Sequence, residues 1–375
     1  MKVLIIRLSS MGDVIHTLPA LRALRSTFPD ATIGWVVEDS HAGILMGLPE
    51  LDRLYVVSRQ RMKGGWRSRL QLARDMRTHM RSVHWDVAVD FQGLWKSYLV
   101  ARWSGASRIL GYAPSHEWTH WLYTDRVRLV TMDRHAVDRN LDLVATLGAS
   151  VRYAGSREQL RRDFSYPISP ADRAKASELI AELVADEAAP LVLLNFSARK
   201  PANRWGTKRF AELAQSLRAS GMVPILTGAL SDGGGAEEIQ SLCREPVPSL
   251  VGRCSLSQLA AVMEKVDVLV TGDTGPMHIA VAVGLPVVAL FGPANPVRTG
   301  PYSPDAVVLQ KPRDCQPCYA RFCKLGLDPA PCLLDIEVGE VLEHVQRVLG
   351  KEQGSQTTIE AKVTADPVGA SSHTS

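Results

Sequence analysis

The sequence has little of several features that mark whole classes of protein. No apolar run approaches the roughly 18 residues that a membrane-spanning helix needs, and the longest, residues 280–291, is interrupted by Gly284 and Pro286. The first residues lack the apolar segment of a secretory signal. The net charge is only +4, from 43 Lys and Arg against 39 Asp and Glu, which is too small for a strongly basic nucleic-acid binder. We therefore expect a cytoplasmic protein that neither spans a bilayer nor binds nucleic acid.

Cysteine is also scarce, with six in 375 residues, which excludes a disulfide-stapled scaffold. Four of the six nevertheless fall close together, in the pattern Cys315-x2-Cys318-x4-Cys323-x8-Cys332. Four thiolates can hold a structural zinc ion, but this spacing is not the paired C-x-x-C form of common zinc sites. We expect reduced thiols and no bound metal, with structural zinc as the alternative.

The chain has neither the G-x-G-x-x-G fingerprint of dinucleotide-binding domains nor a P-loop. This absence disfavours a dinucleotide-dependent oxidoreductase. A non-catalytic binder of nucleotide or nucleic acid is disfavoured by the low net charge and by the lack of aromatic stacking motifs. The oxidoreductase and the non-catalytic binder both stay open as alternative functions.

The chain does show a regular alternation of short apolar strands with helical patterns, which is typical of parallel sheets built from strand-helix-strand units. The strands lack strict apolar-polar alternation, as expected where helices cover both faces of a sheet. The predicted strands are residues 3–8, 32–37, 54–57, 87–91, 108–111, 191–196, 223–227, 268–271 and 287–291. The predicted helices are residues 14–27, 67–80, 136–147, 208–219, 256–264 and 338–349, with Thr207 and Ser255 as N-caps.

Two similar halves of this kind predict two doubly wound α/β domains that face each other across a cleft. Between residues 151 and 172 the periodicity weakens and Gly, Ser, Pro and Arg accumulate. We therefore predict one domain over residues 1–165, a second over 166–350 and a disordered tail over 351–375. Ligands of such sheets bind at the carboxyl ends of the strands, so the loops that follow strands should form the site.

The first such loop, Ser9-Ser10-Met11-Gly12-Asp13, combines small residues with one carboxylate. Small residues let a substrate approach the backbone, and the N–H groups at a helix start attract anions. Asp13 is a candidate general base that accepts a proton from an attacking hydroxyl. The alternative is that Asp13 only caps the helix, a role that Asp favours strongly.

Two further loops carry groups that suit phosphate. The loop from Thr271 to His278 runs from a strand into a helix and has Pro276 at a helix-start position, so its free N–H groups could hold a diphosphate. The loop from Asn195 to Trp205 contains three cations that could neutralise a phosphate leaving group. A simple turn and a solvated charged loop are the respective alternatives.

Taken together, several motifs resemble the bacterial lipopolysaccharide heptosyltransferases of glycosyltransferase family 9. The motifs are SSMGDVIHTLPAL at residues 9–21, WVVED at 35–39, DFQGLWKS at 90–97, HAVDRN at 135–140 and GDTGPMHIAVAVGLPVVALFGP at 272–293. The resemblance covers the chain up to about Gly350. The opening motif is most similar to the members that add the first heptose to the 3-deoxy-octulosonate (Kdo) residues on lipid A.

The resemblance implies a GT-B fold and metal-independent, inverting transfer of heptose from ADP-heptose, with no cofactor. The first domain is expected to hold the acceptor and the second the nucleotide-sugar. It also implies that Asp13 is the base. The donor contacts that we expect are Ser197, Lys200, Arg204, Asp273, Thr274, Gly275 and His278, and the acceptor contacts are Ser10, Gly12, Lys96, His135 and Arg139.

The sequence departs from the family pattern at Asn203, where a lysine is usual. Lys200 or Arg204 is the expected replacement on the donor phosphate. The cysteine set is similar to that of some heptosyltransferase II-like members, so another family 9 enzyme with a different core acceptor is the alternative function.

The segment from Arg59 to Arg81 contains eight Arg and Lys residues against one acid, Asp75, with Met62 and Trp66 between them. Such a basic amphipathic segment suits an anionic membrane surface or the phosphates and carboxylates of Kdo-lipid A. A solvated helix face is the alternative. We expect peripheral contact with the cytoplasmic face of the inner membrane.

Overall fold

The computed structural model describes residues 1–352 except 116, 130, 132, 154, 165 and 185–187. The predicted disordered tail lies outside the described residues from position 353 onward. The helix that precedes it extends as far as Glu352.

The first half of the chain forms a six-stranded sheet with the order β3-β2-β1-β4-β5-β6, and every neighbouring pair is parallel. Its strands are β1 (Lys2–Ile6), β2 (Thr32–Glu38), β3 (Arg53–Val57), β4 (Val87–Asp90), β5 (Arg108–Ala113) and β6 (Asp125–Arg128). Its helices are α1 (Met11–Ile15), α2 (Leu18–Thr27), α3 (Arg59–Lys63), α4 (Trp66–Arg81), α5 (Trp95–Ser104) and α6 (Ala136–Ala145). Helices α7 (Arg157–Phe164) and α8 (Pro170–Leu183) connect the halves.

The second half forms a five-stranded parallel sheet with the order β11-β10-β9-β7-β8. Its strands are β7 (Leu191–Asn195), β8 (Val223–Thr227), β9 (Val268–Gly272), β10 (Val287–Phe291) and β11 (Val307–Gln310). Its helices are α9 (Thr207–Ala219), α10 (Gly233–Leu242), α11 (Leu256–Met263), α12 (Gly275–Val283), α13 (Pro296–Thr299), α14 (Pro331–Leu334) and α15 (Val338–Glu352).

Both strand orders are doubly wound, and the predicted α/β fold with two Rossmann-like halves is confirmed. Each order reverses at one point, between β1 and β4 in the first sheet and between β7 and β9 in the second. Ligands of such sheets bind in the crevice at the reversal point, beyond the carboxyl ends of the strands. The loops after these four strands are therefore the places where a site is expected.

The apolar core has three layers. One outer layer covers the far face of the first sheet and includes Leu4, Ile6 and Trp85. The other covers the far face of the second sheet and includes Trp205 and Phe210. The largest layer lies between the two sheets and contains buried side chains from both halves of the chain. The boundary predicted at residues 165–166 stays a prediction.

Two local predictions were wrong, and two strands were not predicted. The single helix predicted over 14–27 is two helices, because Thr17 caps a new helix and Pro19, which lacks an N–H group, stands in its first turn. Gly206, at φ +105°, caps α9, so Thr207 is its first residue rather than its N-cap. The edge strands β6 and β11 were not predicted, because both are only partly buried and β6 carries three charged residues in its four.

Candidate active site

Asp13 lies in the first turn of α1, just after the strand at the reversal point of the first sheet. Its Oδ2 accepts hydrogen bonds from the backbone N–H of Ser10 (3.0 Å) and from the Ser10 hydroxyl (2.8 Å). Its Oδ1 pairs with the guanidinium of Arg7 at 2.5 Å. The N-cap position belongs to Ser10, so Asp13 closes a capping box from the third helical position and is not the N-cap itself.

These contacts set the charge of Asp13. Burial raises the pKa of the carboxyl, but the Arg7 charge and the hydrogen bonds from Ser10 outweigh it and hold the pKa below its usual value. The Asp13 side chain is nevertheless 34% exposed. It is therefore an ionised carboxylate that a ligand can reach.

Lys96 joins the loops after three neighbouring strands of the first sheet. Its Nζ donates to the Ser9 hydroxyl (3.2 Å) and to Oε1 of Glu38 (3.0 Å). Glu38 is buried at the end of β2 and was not predicted as a site residue, although it belongs to the WVVED motif. Lys96 thus lies close to the Ser9–Asp13 loop.

Asp90, the last residue of β4, lies beneath the loop that leads to Lys96. Its fully buried carboxylate accepts hydrogen bonds from the backbone of Gln92 and Gly93 and from the hydroxyls of Ser97 and Tyr123. Burial raises its pKa despite these four donors. Because no part of Asp90 is exposed, its role is to shape the loop that carries Lys96.

The corresponding carboxylate in the second half is Asp273, just after β9. The Asn203 amide donates to the Asp273 backbone carbonyl (3.1 Å) and to its Oδ2 (3.2 Å). Burial raises the pKa of Asp273, while the nearby charge of Lys200 and the Asn203 hydrogen bond oppose the rise. Asn203, which stands at the usual lysine position, is thus a direct partner of Asp273.

Thr274 caps α12 and belongs to a polar network beneath the loop. Its hydroxyl lies 3.0 Å from the Asn195 amide nitrogen and 3.0 Å from the Thr271 hydroxyl. Asn195 is the buried last residue of β7, so the network joins the two strands at the reversal point. Sequence reasoning missed Asn195 as a site residue, although it begins the third loop.

Ser197 and Arg204 line a cavity of about 670 Å³ beside the second sheet. The Ser197 hydroxyl donates to Oδ2 of Asp232 (2.8 Å), and Arg204 Nε donates to the Ala198 carbonyl (2.9 Å). The Arg204 side chain is therefore engaged within its own loop. Lys200 differs in that its charge acts on Asp273, which lies at the reversal point.

The two halves meet where α1 packs against α12. Gly12 lies so close to the His278 ring that a Cβ on Gly12 would overlap it, and Gly275 lies equally close to Met11. His16 Nε2 and His278 Nδ1 are 2.9 Å apart and share a hydrogen bond. The base candidate and the N-terminus of α12 therefore lie on adjoining surfaces of the cleft.

The histidines at this junction are neutral hydrogen-bonding groups. Burial lowers the pKa of His278 to about 4 and that of His16 well below its usual value. His135 caps α6, with Nδ1 accepting from the Val137 N–H (3.1 Å) and Nε2 donating to the Gly300 carbonyl (3.0 Å). His135 thus bridges the halves. His16, three residues after Asp13, was not predicted as a site residue.

Arg139 lies one turn into α6, close enough to Arg7, Asp13 and Arg298 for their charges to affect it. Burial lowers its pKa from the usual arginine value. Its Nε is buried and finds no hydrogen-bond partner among the described residues. Positive charge is therefore concentrated around Asp13, which suits an anionic ligand.

Burial, and after it the charges of Cys315, Cys323 and Cys318, raise the pKa of Cys332, so the four clustered cysteines lie near one another. Cys315 is exposed, Cys332 is buried, and all six cysteines are free thiols. Over the described part of the chain, no three His, Cys, Asp or Glu side chains are arranged to hold a metal ion. Among the helices described, none is both long and apolar enough to cross a membrane.

Comparison with known proteins identifies the family to which the chain belongs. Residues 73–327, more than half of the chain, match the model of glycosyltransferase family 9 (heptosyltransferase). Lipopolysaccharide heptosyltransferase 1 of Pseudomonas aeruginosa is 29% identical over 332 residues, which cover 86% of this chain and 87% of the relative. Escherichia coli proteins named lipopolysaccharide heptosyltransferase 2 and 3 also match, at 25% and 24% identity.

Solved structures agree with the fold. A family 9 glycosyltransferase of Veillonella parvula superposes with a TM-score of 0.78 at 24% identity, covering 93% of this chain and 97% of that one. E. coli heptosyltransferase WaaC with ADP superposes with a TM-score of 0.71 at 24% identity, covering 93% of this chain and 100% of that one. The chain therefore belongs to glycosyltransferase family 9, the heptosyltransferase family, and is a glycosyltransferase with the GT-B fold.

Proposed function

We propose that this chain transfers L-glycero-D-manno-heptose from ADP-heptose to the Kdo region of lipid A, with inversion and without a metal ion. The observation that carries the proposal is the pairing of an ionised, accessible Asp13 with the adjoining N-terminus of α12. The names of the P. aeruginosa and E. coli relatives support lipopolysaccharide core synthesis. The WaaC structure with ADP supports an adenine nucleotide donor.

In this reaction Asp13 accepts the proton of an acceptor hydroxyl as its oxygen attacks the anomeric carbon of the heptose. The bond from that carbon to the diphosphate oxygen breaks on the opposite face, and ADP leaves with the electron pair. The free N–H groups at the start of α12, with the Thr274 hydroxyl nearby, stabilise the departing charge. Attack from one face and departure from the other account for inversion.

Lys200 is the cation that we assign to the donor diphosphate in place of the lysine missing at Asn203. Its charge reaches Asp273, whereas Arg204 is bonded to Ala198 within its own loop. Ser197 lines the cavity beside this loop, which we assign to the nucleotide. Asp273, Gly275 and His278 complete the donor side.

The acceptor side is formed by Ser10, Gly12, Lys96, His135 and Arg139. Three of these place positive or hydrogen-bonding groups around the loop that carries Asp13. Lys96 bonds to Ser9, Ser10 bonds to Asp13, and the buried Nε of Arg139 has no hydrogen-bond partner in the described part of the chain. Kdo carries a carboxylate, so a cluster of cations beside the base matches this acceptor. We also propose peripheral contact with the inner membrane through the basic segment from Arg59 to Arg81.

The test measures ADP release by the purified chain given ADP-heptose, with and without de-acylated Kdo-lipid A, in the presence of a chelator. Acceptor-dependent release under chelation supports first-heptose transfer without an accessible metal. Binding of ADP-heptose without release contradicts the acceptor assignment. Failure to bind ADP-heptose contradicts the donor assignment.

The alternative is a family 9 transferase that acts on a different core acceptor, such as heptosyltransferase II. The similarity to relatives named heptosyltransferase 2 and 3 supports this alternative. An acceptor that already carries one heptose separates the two: release of ADP only with this acceptor would establish the alternative.

A further inference from the structure

Seven of the eight tryptophans fall into two groups with different surroundings, and the eighth, Trp103, is partly buried against the core. Three of them are buried in the apolar core: Trp35, Trp85 and Trp205. Four are largely exposed: Trp66 (68%), Trp95 (50%), Trp118 (72%) and Trp121 (64%). All four exposed rings belong to the first half. Exposing a large apolar ring is unfavourable unless a partner covers it, so a cluster of four indicates a binding surface.

The four exposed tryptophans share one edge of the first sheet. Trp66 is the first residue of α4 and Trp95 the first of α5, whereas Trp118 and Trp121 follow β5 in the turn that contains the short helix Thr119–Leu122. In a parallel sheet, segments that follow strands begin at the carboxyl edge. The backbone N–H of Trp95 also donates to the Glu117 carboxylate at 2.6 Å, which ties two of the segments together. This is the edge that carries Asp13.

Each of the three segments repeats the same apolar pair. An exposed leucine follows a tryptophan by four residues in every case: Leu70 after Trp66, Leu99 after Trp95 and Leu122 after Trp118. In the α-helices α4 and α5 this spacing places the two side chains on one face. Helix α4 buries a different set, namely Leu72, Met76 and Met80, so its tryptophan and Leu70 are not needed for its own packing.

Trp118 is the exposed tryptophan whose position is least explained by packing within the fold. Its φ is +59°, in the left-handed region where a bulky side chain is unfavourable and glycine or asparagine is preferred. Trp118 is also the most exposed tryptophan, at 72%. The residue therefore combines an unfavourable backbone with an uncovered side chain.

Positive charge accompanies the rings. Arg67 lies over the Trp66 ring at 5.3 Å and Arg126 over the Trp121 ring at 5.4 Å. The basic segment, to which Arg67 belongs, has eight cations against Asp75 alone. Tryptophan, leucine and arginine on one surface are typical of proteins that bind the interface of an anionic bilayer. A second copy of this chain would bring like charges together, so self-association is disfavoured.

We propose that Trp66, Trp95, Trp118 and Trp121, with the surrounding arginines, form an interfacial anchor that inserts into an anionic phospholipid surface. The anchor places the edge that carries Asp13 against the bilayer. The role of the anchor in catalysis rests on the proposed function, because it requires that the acceptor is held in a membrane. Binding to lipid itself does not depend on that assignment.

The test compares the full chain with the double variant Trp118→Asn and Trp121→Ser. Asparagine suits the backbone at position 118, so the variant is expected to fold. The matched control is Phe322→Ser with Val297→Ser, which removes an exposed aromatic under Arg321 and an exposed valine from the second half. Binding is measured by co-sedimentation with vesicles of phosphatidylglycerol and phosphatidylethanolamine that contain no acceptor.

The tryptophan variant should bind these vesicles about ten-fold or more weakly, because it loses two interfacial rings. The control should bind like the wild type, and neutral phosphatidylcholine vesicles should bind the wild type weakly. Equal binding by the tryptophan variant and the wild type would overturn the proposal. So would an equal loss in the control, or a wild-type dimer that becomes monomeric in the variant without a change in vesicle binding.

Activity separates this proposal from the proposed function. The variant should transfer heptose to a de-acylated, water-soluble acceptor at the wild-type rate and to acceptor embedded in vesicles more slowly. If no acceptor is heptosylated but vesicle binding still depends on the tryptophans, the anchor stands and the proposed function fails. If the variant loses activity equally on both acceptors, the anchor proposal fails.

Discussion

Asp13 and Asp273 occupy corresponding places, each just beyond the strands at a reversal point, yet their surroundings act in opposite directions. A guanidinium 2.5 Å away holds the pKa of Asp13 below its usual value. A neutral amide is the nearest partner of Asp273, and burial raises its pKa. When the surroundings shift the pKa values of two carboxylates in opposite directions, the same side chain can take two different roles in one site. The guanidinium favours the charged form of Asp13 on the acceptor side, whereas burial disfavours the charged form of Asp273 on the donor side.

The most direct way to break this comparison is Asp13→Asn. The amide keeps the size of the side chain but cannot accept the proton, so turnover should fall about a hundred-fold or more. The Kd for ADP, measured by calorimetry, should change little. Asp30→Asn, which changes an exposed carboxylate, is the control. Wild-type turnover in the Asp13 variant would remove the base role.

The contact between the two carboxylate loops is tested by Gly12→Ala. A Cβ at Gly12 would overlap the His278 ring, which His16 holds in place, so the junction must open or repack. Such overpacking costs about 1–3 kcal/mol. Urea unfolding measures the loss, and small-angle scattering reports any separation of the halves. Gly43→Ala, where a Cβ meets nothing within 4 Å, should be neutral.

The cation on the donor side is tested by Lys200→Met. Removing this charge should raise the pKa of Asp273 further and weaken ADP binding about ten-fold, with most of the effect lost at high salt. Lys265→Met is the control, because this exposed lysine precedes β9 at the opposite edge of the sheet. If Arg204→Met weakens ADP binding and Lys200→Met does not, the assignment of Lys200 is wrong.

The smallest expected effect is a pH dependence of the free energy of unfolding, caused by His278 at the contact between the two loops. The folded pKa of His278 is about 4, below the value of about 6.5 for an unfolded histidine. The unfolded state therefore binds more protons between these values, and stability falls as the pH drops below about 6.5. From pH 7.5 to 5.5 the loss should be about 1 kcal/mol, and His278→Gln should reduce it. An unchanged slope in the His278→Gln variant would contradict this assignment.

The sequence predicted the fold well, because the interior strands of both sheets are continuous apolar runs bounded by loops. It also predicted the loops at both reversal points. It could not predict contacts that join distant segments, such as Asn195 with Thr274 or His16 with His278. The role of Asn203 was open for the same reason: only the structure shows that its amide donates to Asp273.

Secondary structure was mispredicted where local signals conflict with tertiary context. Strand β6 has charged residues at alternate exposed positions, as an edge strand can, so its pattern is not that of a buried strand. His135 and Arg139 lie four residues apart, a spacing that would place both on one face of a helix, but His135 caps α6 and bonds to Gly300 in the other half. A capping histidine and a helical one are indistinguishable by spacing alone.

Helix α7 has a consequence for how the chain is made. Its buried residues Leu160 and Phe164 belong to the central apolar layer, and it packs against both α2 of the first half and α12 of the second. A ribosome synthesises α7 roughly a hundred residues before α12, an interval of about ten seconds at typical elongation rates. During that time the nascent first half must carry an uncovered apolar surface. Chaperone demand during synthesis should therefore peak before α12 emerges and end once it docks.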